Sequence, residues 1–316
     1  MHEQPLKLTS QDDHIISGTV FCPDTAGATL VISHGMAEHA GRYTDFARSL
    51  ANQGIGVVTF NHRGHGPGCP KHRLGHYSDN NGWSKVTDDL HRVLLHTRKR
   101  FPAVPLVLMG HSMGSFIAQS CAQKHGDSLD ALILSATNRI NRTELLASRA
   151  LIGGIRKLYG CHHQSRIITK MTFGKFNSQF KPNRTECDWL SRDTAQVDQY
   201  IADPLCGFTC TTGLWHDFIR GMLAIDPKQW RKDLPVHLFA GTDDPVGEMG
   251  NGMTRHFQSI RDAGVQRVTL RLFRGGRHEM LNETNAAEVR AYIQSLCVPP
   301  PQGHDEKPSE KRLETT

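Results

Sequence analysis

PLVLMGHSMGSFIAQSCAQK, residues Pro105 to Lys124, is the stretch from which the fold is read. The apolar run PLVLM predicts a buried strand, and SFIAQSCAQK predicts a helix. Between them lies Gly110-His111-Ser112-Met113-Gly114. A Gly-x-Ser-x-Gly match alone says little in a chain with 29 glycines. Its position between a strand end and a helix start says much more, because that is the context of a nucleophile elbow. The serine must sit in a tight turn where flanking side chains would clash, so Gly110 and Gly114 leave the room it needs. The helix N-terminus beneath it favours developing negative charge.

Working outward, β-branched and apolar runs alternate with amphipathic helical segments, the pattern of a mostly parallel sheet flanked by helices. LKLTS and HIISGTVF predict an opening hairpin. ATLVIS (Ala28 to Ser33), GVVTF (Gly56 to Phe60), ALILS (Ala131 to Ser135), VHLFA (Val236 to Ala240) and VTLRLF (Val268 to Phe273) predict further strands. From Thr137 to about Asp226 only helical patterns occur, too long for a loop and suited to a cap subdomain. The expected organisation is an α/β core over 1–137 and 227–298, a helical cap over 138–226, and a proline-rich, charged, disordered tail over 299–316.

A serine nucleophile needs a base, and the base needs an orienting acid. Gly241-Thr242-Asp243-Asp244-Pro245 follows VHLFA, and Gly275-Gly276-Arg277-His278-Glu279 follows VTLRLF. Both loops lie just past strand C-termini, where ligands and chemistry collect in open α/β sheets. With 19 histidines the order Ser, Asp, His is cheap, but a histidine in the glycine-rich loop after the last strand is restrictive. Asp243 and Asp244 compete for the acid role. Asp244 is favoured, with Asp243 capping the turn. Glu279 is expected to pair with Arg277 or solvent. The tetrahedral intermediate needs two N–H donors. Met113, after the nucleophile, offers one, and Met36 in the loop His34-Gly35-Met36 offers the other.

HGMAEHAGRY, NHRGHG, GHSMG, GTDDPVG and GGRHEMLNE, in this order, resemble the monoacylglycerol lipase and lysophospholipase branch of the α/β-hydrolases, in its bacterial form. The resemblance implies an α/β-hydrolase fold with a helical cap over an acyl pocket. It implies Ser112 as nucleophile, Asp244 as acid, His278 as base and the amides of Met36 and Met113 as oxyanion hole. Together these predict hydrolysis of fatty acyl esters through an acyl-enzyme, with no metal and no organic cofactor. The chain departs from the pattern at Asn61, where an aspartate is usual. Asparagine keeps an acceptor without the charge, so a structural adjustment is expected.

Other classes are less well supported. A general carboxylesterase or a proline-type aminopeptidase would use the same triad, but no acidic group to bind a substrate amine stands out. A non-catalytic binding protein on this fold would often have lost a triad member. Aspartate-nucleophile hydrolases are excluded by Ser112. His62, His65, His72 and His76 invite a metal reading, yet neighbouring spacing completes no ligand set. The glycines of RGHGPG open no helix, which argues against a dinucleotide site. The net charge of +6 is dispersed, so nucleic-acid binding is not expected, while contact with anionic lipid head groups is compatible with it. The eight cysteines are scattered and read as free thiols, including the Cys206/Cys210 pair. The polar N-terminus lacks a signal-like apolar run, so a cytoplasmic location is expected. Arg42 and Tyr43 are expected to anchor the oxyanion loop. Phe173, Phe176, Phe180, Trp189, Trp215 and Phe218 are expected chiefly to pack the cap, with an acyl-pocket role as the alternative.

Overall fold

A computed structural model describes residues 1–298; the tail expectation for 299–316 lies outside them. Each predicted strand forms. β1 (His2–Thr9) and β2 (Ile15–Cys22) make the opening hairpin. β3 (Ala28–Ser33), β4 (Ile55–Phe60), β5 (Leu106–His111) and β6 (Ala131–Ser135) follow, then β7 (Val236–Gly241) and β8 (Val268–Phe273). The sheet order is β1-β2-β4-β3-β5-β6-β7-β8, antiparallel only where β2 meets β1 and β4. The chain steps from β3 to β4 on one side, then returns to β5 on the other side of β3. That reversal opens a crevice at the C-terminal ends of β3 and β5.

The period-2 alternation of a strand buried on both faces divides the core. In β5, Leu106 and Leu108 face one apolar layer while Val107 and Met109 face the other. The second layer is covered by α1 (Thr44–Asn52), through Phe46 and Leu50, and by α10 (Ala286–Cys297), through Val289 and Ile293. The first is covered by α2 (Gly82–Arg100) and α3 (Met113–His125), through Val86, Leu90, Ile117 and Cys121.

Between β6 and β7 the chain adds no strand to the sheet. It forms α4 (Arg142–Tyr159), the short turns α5 (Arg166–Thr169) and α6 (Lys175–Asn177), then α7 (Thr194–Ala202) and α8 (Thr212–Ala224). Side-chain oxygens of Asn141, Asp193 and Thr211 cap α4, α7 and α8 by accepting backbone N–H groups of the first turn. The segment around QSRIITKMTF is less regular than its sequence suggests, passing from α5 through a π turn over Lys170–Gly174. α8 is locked onto the core at Gly221, where an added Cβ would meet the Trp83 ring at 2.0 Å.

One helix, α9 (Asn251–Asp262), is not evident in the sequence. Its buried face consists of Gly252, Met253, His256 and Ile260, so the apolar stripe is interrupted by a histidine. That histidine is buried because its Nε2 pairs with Gln119 Oε1 at 2.9 Å.

Candidate active site

Ser112 sits between β5 and α3 with φ 51° and ψ −120°, the left-handed backbone expected of a strained elbow. The turn is held by Ser112 N–H donating to Ser135 O and by Ser115 N–H donating to Ser112 O. Its glycines are required sterically. A Cβ at Gly110 would lie 2.5 Å from Gly114 O, and one at Gly114 would lie 2.1 Å from Ser33 O. A Cβ at Gly35 would come within 3.3 Å of Ser112 Cβ, so the loop after β3 passes directly over the serine.

Asp244 and His278 follow β7 and β8, and both are buried. His278 Nδ1 donates to Asp244 Oδ1 at 3.0 Å, and Val246 N–H donates to the same oxygen at 2.9 Å. This pairing fixes the imidazole tautomer and leaves Nε2 as an acceptor. The ring packs between His111 and Trp189, each with its centroid 4.9 Å away. Burial disfavours the imidazolium, but the charge and hydrogen bond of Asp244, assisted by Glu279 and Glu38, outweigh it. The His278 pKa therefore rises. Asp243 is exposed and its carboxylate accepts the Thr242 hydroxyl at 2.9 Å, while His278 Nδ1 meets Asp244.

Ser112 and His278 both line a cavity of about 120 Å³ together with Gly35, Met36, Glu38, Glu186 and Glu279. Among the described residues no direct hydrogen bond joins them, and such bonds often close only when substrate is present. Ser112, Met36 and Met113 also line a larger cavity of about 450 Å³. Its wall comes from Phe116 in α3, Ile152 in α4, and Trp215, Phe218, Ile219 and Met222 in α8, with Phe173, Phe176 and Trp189. Five of the six aromatics noted in the sequence thus reach this cavity while packing against one another. Phe180 does not, and instead lies beneath the Arg277 guanidinium.

The loop carrying Met36 is braced on every side. Glu38 accepts hydrogen bonds from Gly35 N–H, from the Tyr43 hydroxyl at 2.9 Å and from Arg42 at 2.9 Å. His34 donates from Nδ1 to Gly35 O and accepts His62 N–H at Nε2. His65 accepts Ala37 N–H, and the Tyr200 hydroxyl donates to Ala37 O. Asn61 accepts Ala40 N–H and points its amide at Ser17. Its amide group supplies both an acceptor and a donor without burying a charge, which is how the chain accommodates the departure from aspartate. Arg42 and Tyr43 therefore anchor this loop through Glu38.

Glu279 differs from expectation. It forms a two-pronged pair with Arg42, while Arg277 donates to the backbone carbonyls of Asp188 and Ser191. Glu279 is buried, so it takes the buried guanidinium that can meet both its oxygens. Glu38 and the Arg42–Glu279 contact were not identified as a unit from sequence. The i, i+4 spacing of Glu38 and Arg42 was the available signal. Burial keeps the surrounding histidines neutral, lowering the pKa of His34 and His65 to about 3, of His111 to about 4, and of His62 well below its usual value.

Comparison with known proteins identifies the family and the fold. The family described as serine aminopeptidase, S33 matches residues 24–285. Monoglyceride lipase of Mus musculus is 26% identical over 286 residues, covering 85% of this chain and 83% of that one. Monoacylglycerol lipase of Mycolicibacterium smegmatis is 28% identical over 187 residues, 59% of each chain. Among solved structures, a thermostable carboxyl esterase from Bacillus coagulans superposes with a TM-score of 0.84 at 24% identity, covering 94% of this chain and 98% of that chain.

Proposed function

The chain belongs to the serine aminopeptidase S33 family, and from that premise we propose that it hydrolyses carboxylic esters of fatty acyl groups, such as monoacylglycerols or lysophospholipids. The observation that carries the reading is the apolar cavity of about 450 Å³ that begins at Ser112, a volume within the range of ligand pockets. An acyl chain has a place to lie there with its carbonyl at the serine. The smaller, more polar cavity beside His278 suits the leaving group.

In this mechanism His278 Nε2 takes the Ser112 proton as the hydroxyl oxygen attacks the acyl carbon. The amides of Met36 and Met113 hold the oxyanion, each worth about 10²–10³ in rate. Asp244 stabilises the imidazolium that forms, and His278 then passes the proton to the departing alcohol. Water activated by His278 releases the fatty acid and restores Ser112. Residues 138–226 serve as the cap over the acyl cavity, and no metal or organic cofactor takes part. Contact of the basic chain with anionic lipid surfaces fits such a substrate. No helix among the described residues is long and apolar enough to cross a membrane.

A second reading, cleavage next to a substrate amine, has one observation in its favour: Glu186 at the small cavity, an exposed carboxylate that could meet a cation. Labelling with a fluorophosphonate probe tests the nucleophile. Wild type labels and Ser112→Ala does not, with a loss of about 10⁶ in kcat; equal labelling overturns the assignment. Turnover of monoacylglycerol, lysophosphatidylcholine, short p-nitrophenyl esters and proline amides tests the substrate class. A preference for the proline amides overturns the lipid reading.

A further inference from the structure

Away from the acyl cavity, His76 and Asp79, in the loop between β4 and α2, meet His162 from the turn between α4 and α5. One donor atom from each lies within 4.8 Å of the others. Asp79 Oδ1 is 3.1 Å from His76 Nε2 and 2.7 Å from His162 Nε2. The two imidazoles stack with centroids 4.1 Å apart, and Arg73 approaches the other carboxylate oxygen of Asp79 at 3.7 Å.

The hydrogen-bond bookkeeping around His76 is what singles this cluster out. The Thr211 hydroxyl donates its one proton to Gly75 O at 3.0 Å and accepts Leu214 N–H at 3.2 Å. With that proton on Gly75 O, the remaining Thr211 lone pair faces His76 Nδ1 at 3.0 Å, and the matching tautomer carries its proton on Nδ1. In that tautomer Nε2 presents a lone pair 3.1 Å from Asp79 Oδ1, in place for a cation between them; in the other it donates its N–H to the same oxygen. The side chain of His76 is 0% exposed, so its place in the cluster is set by the surrounding fold. The Gly213 backbone packs against the ring so closely that a Cβ there would lie 3.0 Å from Cε1. A metal-ligating histidine has this arrangement: one ring nitrogen tied to an oriented acceptor, the other lone pair free for a cation.

We propose that His76 Nε2, His162 Nε2 and Asp79 Oδ1 bind a divalent transition-metal ion of the zinc class, clamping the helical insertion to the core. Two imidazole nitrogens and a carboxylate oxygen are the donor set such ions prefer, with water completing the shell. Sequence spacing around His76 could not disclose the site, because its third ligand lies more than eighty positions further along the chain. His162 and Asp79 are about half exposed and can adjust to the ion, while His76 supplies the rigid corner.

The full chain, stripped with chelator, is titrated with Zn²⁺ by calorimetry and with Co²⁺ by visible absorption, alongside His162→Ala and Asp79→Asn. Both replaced side chains are half exposed, so the variants fold. Wild type binds one ion more tightly than any background histidine site, and each variant weakens that binding at least tenfold. Zinc also raises the Tm of wild type but not of His162→Ala. Equal affinities in all three proteins, or no binding by wild type, overturn the site. Binding without a rise in Tm overturns the clamp.

Discussion

Replacing Asp244 by asparagine isolates the electrostatic part of the proposed triad. The side chain keeps its shape, and its amide oxygen still accepts Val246 N–H, so the loop after β7 stays folded. What is lost is a buried carboxylate 3.0 Å from His278 Nδ1. At that separation and an effective dielectric of about 20, the charge pair formed in the transition state is worth about 5 kcal/mol. That corresponds to roughly 10⁴ in rate, at about 1.4 kcal/mol per decade. The pH profile moves as well. Asp244 raises the His278 pKa against the opposing effect of burial, and activity requires the neutral ring. Asp244→Asn therefore shifts the acid limb of kcat/KM to lower pH while lowering its plateau. The assay is steady-state hydrolysis of a p-nitrophenyl ester between pH 5 and 9, with Asp243→Asn as comparison. That exposed neighbour should stay within a few-fold of wild type. The reasoning is refuted if Asp244→Asn retains a tenth of wild-type kcat, if its acid limb stays in place, or if Asp243→Asn is the variant that collapses.

Gly114→Ala drives a methyl group into the Ser33 and His34 carbonyls. It should cost about 1–3 kcal/mol and lower Tm by at least about 3 °C, read by calorimetry; an unchanged Tm contradicts the packing. Ile152→Trp fills the acyl cavity from α4, so the ratio of kcat/KM for long over short acyl esters should fall at least about tenfold. Arg42→Ala strands two buried carboxylates, Glu38 and Glu279, and should destabilise the fold by about 3–5 kcal/mol in urea titrations. His34, His62, His65, His111 and His256 are buried with lowered pKa values, so the unfolded chain binds more protons than the native one below pH about 6.5. Their stabilisation is complete above that pH and is lost as pH falls towards about 4, at up to about 1.4 kcal/mol per pH unit each. His278, shifted the other way, is protonated in both states below that pH and so does not oppose the loss. Since domains have about 5–15 kcal/mol in hand, circular dichroism should detect acid unfolding between pH about 4 and 6.

The sequence carries the parts of this molecule that are local. PLVLM followed by a glycine-flanked serine and a helix can be recognised because strand, turn and helix are contiguous. Asp244 and His278 can be found because each lies just past a strand end. The bracing of the loop that carries Met36 is different in kind. Arg42 meets Glu279 across 237 positions, and Trp189 packs on His278 from within the insertion. Such pairings are set by how loops meet in space, which periodicity does not encode. α9 was hidden for another reason: a buried histidine occupies its apolar face, and only its partner Gln119 in α3 makes that burial tolerable.

The insertion leaves and rejoins the sheet at β6 and β7, which pair directly from Leu132↔Val236 to Ser135↔Phe239. The sheet thus closes as it would with a short crossover, and lengthening the connection adds only a logarithmic entropy cost. On the proposed reading, selectivity and bond cleavage consequently reside in pieces of chain that can diversify at different speeds. The insertion can be rewritten for new acyl groups while the strand ends that hold Ser112, Asp244 and His278 stay as they are. The tether on that freedom is the stretch from Trp189 to Arg192, whose carbonyls receive the His278 and Glu279 amides and whose Arg192 pairs with Glu283. A graft that keeps those four residues in place exchanges specificity without retuning the base; one that moves them alters both at once.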